Sequence, residues 1–268
     1  MKVHFAGHGF HTRVLHDAGV RYVLRSFYYV REGDGWTEED TETYRPFEHI
    51  IIDSGLFTMM FGADRDEALT YKKAKAWQDE YVEFIRDFPL PNVTFVEIDV
   101  QKKLGPEAAW RLRKDLRGRT PPDTSIINVY HLEDGDPSDL IEFSDYIGIS
   151  QPELRDKDAP DRGRLTSALA ADAREAGLKV HLLGCTGMEF LRRFRWCDSC
   201  DSTSWLSGVM YDMLPGPDLP NGDGEDSIIT LDRVDAQPSR YEKRRDDRTY
   251  WSAAISLNQY AKYAGPQD

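Results

Sequence analysis

The sequence predicts a single (β/α)₈ barrel, and three observations predict it. Eight short β-branched or apolar runs recur along the 268 residues. Most are followed by a stretch of helical period, the signature of repeated βα units and a parallel sheet. The length also suits one α/β barrel, commonly about 250 residues. A doubly wound open sheet has the same alternation and is the competing topology.

Taken in order, the runs are residues 2–6, 22–29, 49–53, 93–100, 125–131, 146–150, 179–184 and 198–203. Helices are clearest over 65–87, 106–117, 161–176 and 188–195. Pro106 suits a first helical turn, and Gly177 suits a C-terminal stop. Residues 212–250, rich first in Pro, Gly and Asp and then in Lys and Arg, break the pattern as an irregular excursion. Helical character returns over 251–263, which supplies the eighth helix, so the whole of 1–268 reads as one domain.

Composition narrows the class. Apolar residues at 40% are enough for a core, and 30% charged residues describe an ordinary soluble surface. No apolar run reaches the roughly 18 residues of a membrane helix, and residues 1–5 carry no apolar signal core, so a cytoplasmic protein with no membrane partner is expected. Cys185, Cys197 and Cys200 are too few for a disulfide framework and read as free thiols. The formal charge of −13 opposes nonspecific binding to nucleic acid, so any such surface has to be local.

In a barrel the C-terminal strand ends build the site. Three strands end with a carboxylate: Ile52-Asp53-Ser54-Gly55, Glu97-Ile98-Asp99, and Cys200-Asp201-Ser202-Thr203. A fourth ends in Tyr130-His131. A single such Asp commonly caps the next helix. Three on different strands suit chemistry at an anomeric carbon, where one carboxylate attacks and another moves protons. Oxygen ligation of a divalent metal fits the same residues. Asp198, in a similar Asp-Ser pair, rivals Asp201. Glu97, one layer below Asp99, is expected to pair with Arg25.

Asp53-Ser54-Gly55-Leu56-Phe57 resembles the Asp-Ser-Gly-Gly-aromatic motif of the tRNA-guanine transglycosylase superfamily, and later strand ends follow in the family's order. Asp99 matches a second family Asp, His181-Leu182-Leu183-Gly184 its Leu-Met-Gly segment, and Asp201 its last-strand aspartate. Ser26-Phe27-Tyr28-Tyr29 and Asp201-Ser202-Thr203-Ser204-Trp205 are closer still to phage and bacterial paralogues that insert 7-deazaguanines into DNA. The family's zinc cluster, Cys-x-Cys-x-x-Cys with a distant His, has no counterpart here; neither Cys185 nor the Cys197-x-x-Cys200 pair matches it, and no metal or other cofactor is expected. Leu56 replaces the second Gly, and Thr58 stands where Gln is common.

The resemblance implies a guanine transglycosylase in which Asp201 is the covalent nucleophile and Asp53 moves protons. Asp99 would bind the guanine edge, Phe57 and Leu183 would stack on the base, and His131 would read its carbonyl. Ser54 and Gly55 would complete the pocket, with Gly148, Ser150 and Gly184 admitting the base to the backbone. Lys102 and Lys103 beside Asp99, with Lys243, Arg244 and Arg245, are the expected phosphate contacts, and Trp205 is a candidate to hold a flipped base. The expected partners are DNA, ahead of tRNA, and a free 7-deazaguanine. A nucleosidase or glycosidase of small nucleosides and a noncatalytic base-binding barrel are the competing readings.

Overall fold

The structure, a computed structural model, describes residues 1–7, 12–56, 68–150, 163–185, 187–206, 213–215, 228–230 and 245–265. Eight parallel strands close into a barrel in sequence order: β1 (Lys2–Ala6), β2 (Tyr22–Ser26), β3 (His49–Asp53), β4 (Val93–Val96), β5 (Ile126–Tyr130), β6 (Tyr146–Ser150), β7 (Lys179–Leu183) and β8 (Ser199–Ser202). Closure is decided by the pairing of first strand with last, where Lys2, Val3, His4 and Phe5 lie beside Ser199, Cys200, Asp201 and Ser202. An open doubly wound sheet has no such pairing, so the barrel alternative holds.

The helices outside it, among the described residues, are α1 (Thr12–Asp17), α2 (Phe27–Arg31), α3 (Glu38–Tyr44), α4 (Tyr71–Asp87), α5 (Gln101–Arg119), α6 (Ser138–Phe143), α7 (Arg164–Glu175), α8 (Met188–Arg193) and α9 (Arg245–Ala264). Period-two alternation in the strands divides the apolar residues into two sets. Ile51, Val96, Ile127, Val129 and Tyr146 pack inside the barrel. Ile50, Ile52, Phe95, Ile126, Val180 and Leu182 pack outward with Trp77, Tyr81, Leu112, Leu116 and Leu169 of the helices.

Three expected boundaries change. The aromatic run after Ser26 is helical from Phe27, because Phe27 turns outward against Trp77, Tyr81 and Phe84 of α4. The fourth strand stops at Val96, and residues 97–100 leave it to bring Asp99 to the rim. The last helix begins at Arg245, six residues before the expected start, and within the supposed irregular stretch Met213–Pro215 pairs antiparallel with Ile228–Thr230. Pro106 does open a regular helical stretch, directly after a kink at Gly105.

No described helix is long and apolar enough to cross a membrane.

Candidate active site

Asp201 is the third residue of β8 and points into the barrel mouth with a side chain 12% exposed. Its Oδ1 accepts hydrogen bonds from His181 Nε2 at 3.2 Å and from the Gly184 backbone N–H at 3.0 Å. No hydrogen bond reaches Oδ2 among the described residues. Gly184 adopts φ +62°, a left-handed conformation that favours glycine, and this turn at the end of β7 aims its N–H at the carboxylate.

Asp53 ends β3, and its Oδ2 accepts the Gly55 N–H at 3.0 Å. Burial pushes its carboxyl up to about 6, and the charges of Asp201 and Asp99 push in the same direction, against the hydrogen bonds from Gly55 and Ser54. These three carboxylates therefore share one electrostatic neighbourhood. Gly55 is required twice over. It sits at φ +76°, and a Cβ there would lie 2.4 Å from the Tyr28 backbone nitrogen and 2.8 Å from Ser26 Oγ. The turn that presents its N–H to Asp53 thus lies flat against the start of α2. Ser54 is buried, and its carbonyl is anchored by Trp77 Nε1 at 2.9 Å.

Asp99 lies beyond β4 with its Oδ1 2.9 Å from Nε2 of His131, which is buried. His131 was expected to read a base carbonyl. Its Nε2 lies against Asp99 Oδ1 as a close ion-pair contact, and Asp99 Oδ2 receives no hydrogen bond among the described residues. The expected opening at Gly148 is also filled: a Cβ there would meet Ile127 Cγ2 at 2.7 Å and Leu183 Cδ1 at 3.0 Å. Gly148 lets these side chains interlock, and Leu183, packed on the interior cluster, forms the floor of the mouth. Ser150 closes β6 beside Leu183 in register.

Lys102 and Lys103 are exposed in the first turn of α5, immediately after Asp99. Buried Gln101 fixes that turn, donating to the Val129 carbonyl at 3.1 Å and accepting from the Val100 N–H at 3.0 Å. Arg245 is the first residue of α9. Phe57, Lys243 and Arg244 lie outside the described residues.

Two expectations about neighbouring residues are corrected. Glu97 does not meet Arg25. It follows Phe95 outward, where Arg113 of α5 donates to it from Nε at 2.8 Å and from Nη2 at 2.7 Å, with Asn128 and the Val129 N–H completing the set. Arg25 instead donates to the Tyr44 hydroxyl at 3.3 Å. Trp205 cannot hold a flipped base: it is fully buried, tilted against Phe5 with ring centroids 5.8 Å apart, and its Nε1 donates to the Ala6 carbonyl at 2.8 Å.

Asp198 and Asp201, the two rivals, stand at different ends of the barrel. Asp198 precedes β8, at the opposite end from the mouth, where it accepts from the Val180 N–H at 2.8 Å and pairs with Arg174 at 3.3 Å. It joins strand to helix and faces away from the carboxylates. The cysteines are all buried, and burial raises the thiols of Cys197 and Cys200. No group of three His, Cys, Asp or Glu among the described residues is placed to hold a metal ion.

Neither known family models nor curated proteins match this chain.

The site contains residues that the pattern of strand ends did not single out. His181 and Ser199 each lie two positions before a mouth residue, Leu183 and Asp201, and so share its inward face. That spacing was the available signal. Below them, His4 Nε2 lies 2.8 Å from His49 Nδ1, and His49 Nε2 lies 3.0 Å from Thr94 Oγ1. Burial holds His49 down at about 4 and His4 well below the usual histidine range, so both are neutral at pH 7. The barrel thus carries acids at one end and a neutral imidazole layer beneath them.

Proposed function

We propose that the protein is a base-exchange glycosyltransferase that replaces guanine in DNA with a 7-deazaguanine through a covalent sugar ester on Asp201. The observation that carries this reading is the pairing of two unlike carboxylates in one mouth. Asp201 has one oxygen held by two donors and the other unengaged, while Asp53 is raised to about 6 and so carries a proton part of the time near neutrality. One suits a nucleophile and the other a proton carrier.

In the first half-reaction, Asp201 Oδ2 bonds to the sugar C1′ as the C1′–N9 bond breaks. The electron pair leaves with guanine, which takes up the proton of Asp53. In the second, N9 of the incoming base bonds to C1′, its proton passes to Asp53, and the C1′–Oδ2 bond breaks to restore the Asp201 carboxylate. Two displacements at C1′ retain configuration. The unengaged Asp99 oxygen supports recognition of an N–H-rich guanine edge, a task for which a carboxylate is an acceptor only.

DNA is preferred because the sequence resembles the DNA-modifying paralogues and lacks the zinc cluster of the tRNA enzymes. The target base has to leave the stack, at a cost of a few kcal/mol, before C1′ and the base edge are both reachable. Lys102 and Lys103 beside the mouth supply local positive charge on an acidic protein. Replacing both with Ala is expected to weaken DNA binding and to reduce the slope of log affinity against log salt by about 2; an unchanged slope removes them from the interface.

Exchange of radiolabelled guanine into duplex DNA, single-stranded DNA and tRNA tests the reading. Label is expected to enter DNA. Label entering tRNA alone, hydrolysis without exchange, or no reaction with any substrate would respectively favour the RNA enzyme, the nucleosidase and the noncatalytic barrel.

A further inference from the structure

Beneath Asp201 runs a buried chain of hydrogen bonds that the base-exchange reaction does not itself require. The Tyr146 hydroxyl lies 2.5 Å from Ser199 Oγ, Ser199 Oγ lies 2.5 Å from His181 Nδ1, and His181 Nε2 lies 3.2 Å from Asp201 Oδ1. The three residues are 5%, 1% and 0% exposed, so solvent does not compete for these bonds.

Proton counting orders the chain. An ionised carboxylate accepts only, so His181 has to present Nε2–H to Asp201. With that single ring proton on Nε2, His181 has a bare Nδ1, which accepts the only proton of Ser199. Ser199 Oγ is left to accept from Tyr146, whose phenol is kept protonated because burial drives its ionisation well up. Every donor points toward Asp201, and bonds aligned in this way polarise one another. The opposite tautomer would set the Nε2 lone pair against a carboxylate oxygen.

We infer that Tyr146, Ser199 and His181 form a positioning relay that locks the His181 tautomer and, through it, commits Asp201 Oδ1 so that Oδ2 is the attacking oxygen. This rests on the covalent role of Asp201 and adds to it the selection of one oxygen. With His181 Nε2 and Gly184 N both on Oδ1, rotation of the carboxyl group would cost two hydrogen bonds. The same donors remain on the acyl oxygen when the sugar ester forms and the charge disappears. His181, Ser199 and Tyr146 are positioning residues, since none of them needs to touch the substrate.

Two measurements on the full chain test the relay. Nitrogen-15 spectra of histidine-labelled protein are expected to show His181 in the Nε2–H tautomer, with the fixed assignment lost in Ser199→Ala. In guanine exchange into DNA, His181→Ala is expected to lose about 100-fold or more in kcat with KM for DNA changed less than about threefold. His181→Gln, whose amide nitrogen stands near the position of imidazole Nε2, should recover about tenfold or more of that loss. A His181 in the Nδ1–H tautomer overturns the relay whether or not any substrate exchanges base. Exchange by the wild type together with full kcat in a folded His181→Ala overturns it while leaving the covalent role of Asp201 standing. If the wild type exchanges no base but the Nε2–H tautomer is found and depends on Ser199, the relay stands and the proposed reaction fails.

Discussion

Asp53 is a residue whose usefulness and whose cost to the fold have one origin. Burial and two neighbouring acids raise its carboxyl from 3.8 to about 6. In the unfolded chain the group ionises near 4, so above that pH the folded state bears a penalty that grows until the pH passes about 6. Stability from this group is thus greatest below pH 4 and is lost as the pH rises through 6. Asp53→Asn is expected to raise stability at pH 8 by about 1–3 kcal/mol and to leave it unchanged at pH 4, measured by urea unfolding. The same variant should lose exchange activity, and the alkaline limb of the wild-type pH profile near 6 should disappear with it. At this scale the sequence was informative about Asp53, Asp99 and Asp201, because each stands at or just past the C-terminal end of an apolar run. It was less so about His131, which belongs to Asp99, and about Gly148, which is packed with side chains, since the occupant of a glycine's space is fixed by neighbouring strands.

Among the elements, β4 and α5 show how packing overrides local pattern. Glu97 and Asp99 share a period-two face on paper, yet the strand ends at Val96, so Glu97 turns toward α5 while Asp99 reaches the rim. Arg113 sits sixteen residues downstream of Glu97, a separation from which no spacing rule would have paired them. The pair is 1–2% exposed and hydrogen-bonded on several sides. Glu97→Ala is expected to destabilise the protein by about 3–5 kcal/mol by stranding a buried guanidinium, whereas an apolar double replacement with Arg113→Met should recover much of the loss. Equal destabilisation by single and double variants, in thermal or urea unfolding, would show that the loss comes from shape alone. The Phe27-Tyr28-Tyr29 helix is a second case: an aromatic run favours a strand, but five residues turn helical to place Phe27 against α4.

Over the whole molecule, the eight-strand count was legible because a βα repeat leaves a periodic trace, and closure by β1 and β8 then sets every strand end around one mouth. The interior imidazole layer was not, since His4, His49 and His181 are far apart in the chain and meet only once the barrel closes. This layer gives the fold an acid limit. His49 is held at about 4, below its unfolded value of 6.5, so its contribution is fully present above pH 6.5 and is lost as the pH falls toward 4. The loss is on the order of 2–3 kcal/mol for this residue. His49→Gln should flatten the fall in stability between pH 6.5 and 4, measured by unfolding at each pH; an equally steep fall would place the acid sensitivity elsewhere.

Covalent attack by Asp201 is tested most directly by trapping the enzyme with a guanine-containing DNA duplex under denaturing conditions and mapping the adduct by peptide mass spectrometry. The expected result is a single DNA-linked peptide carrying the sugar on Asp201, absent from Asp201→Asn, which should also lose exchange by about 1,000-fold or more. An adduct on another residue, or full exchange by Asp201→Asn, would contradict the assignment.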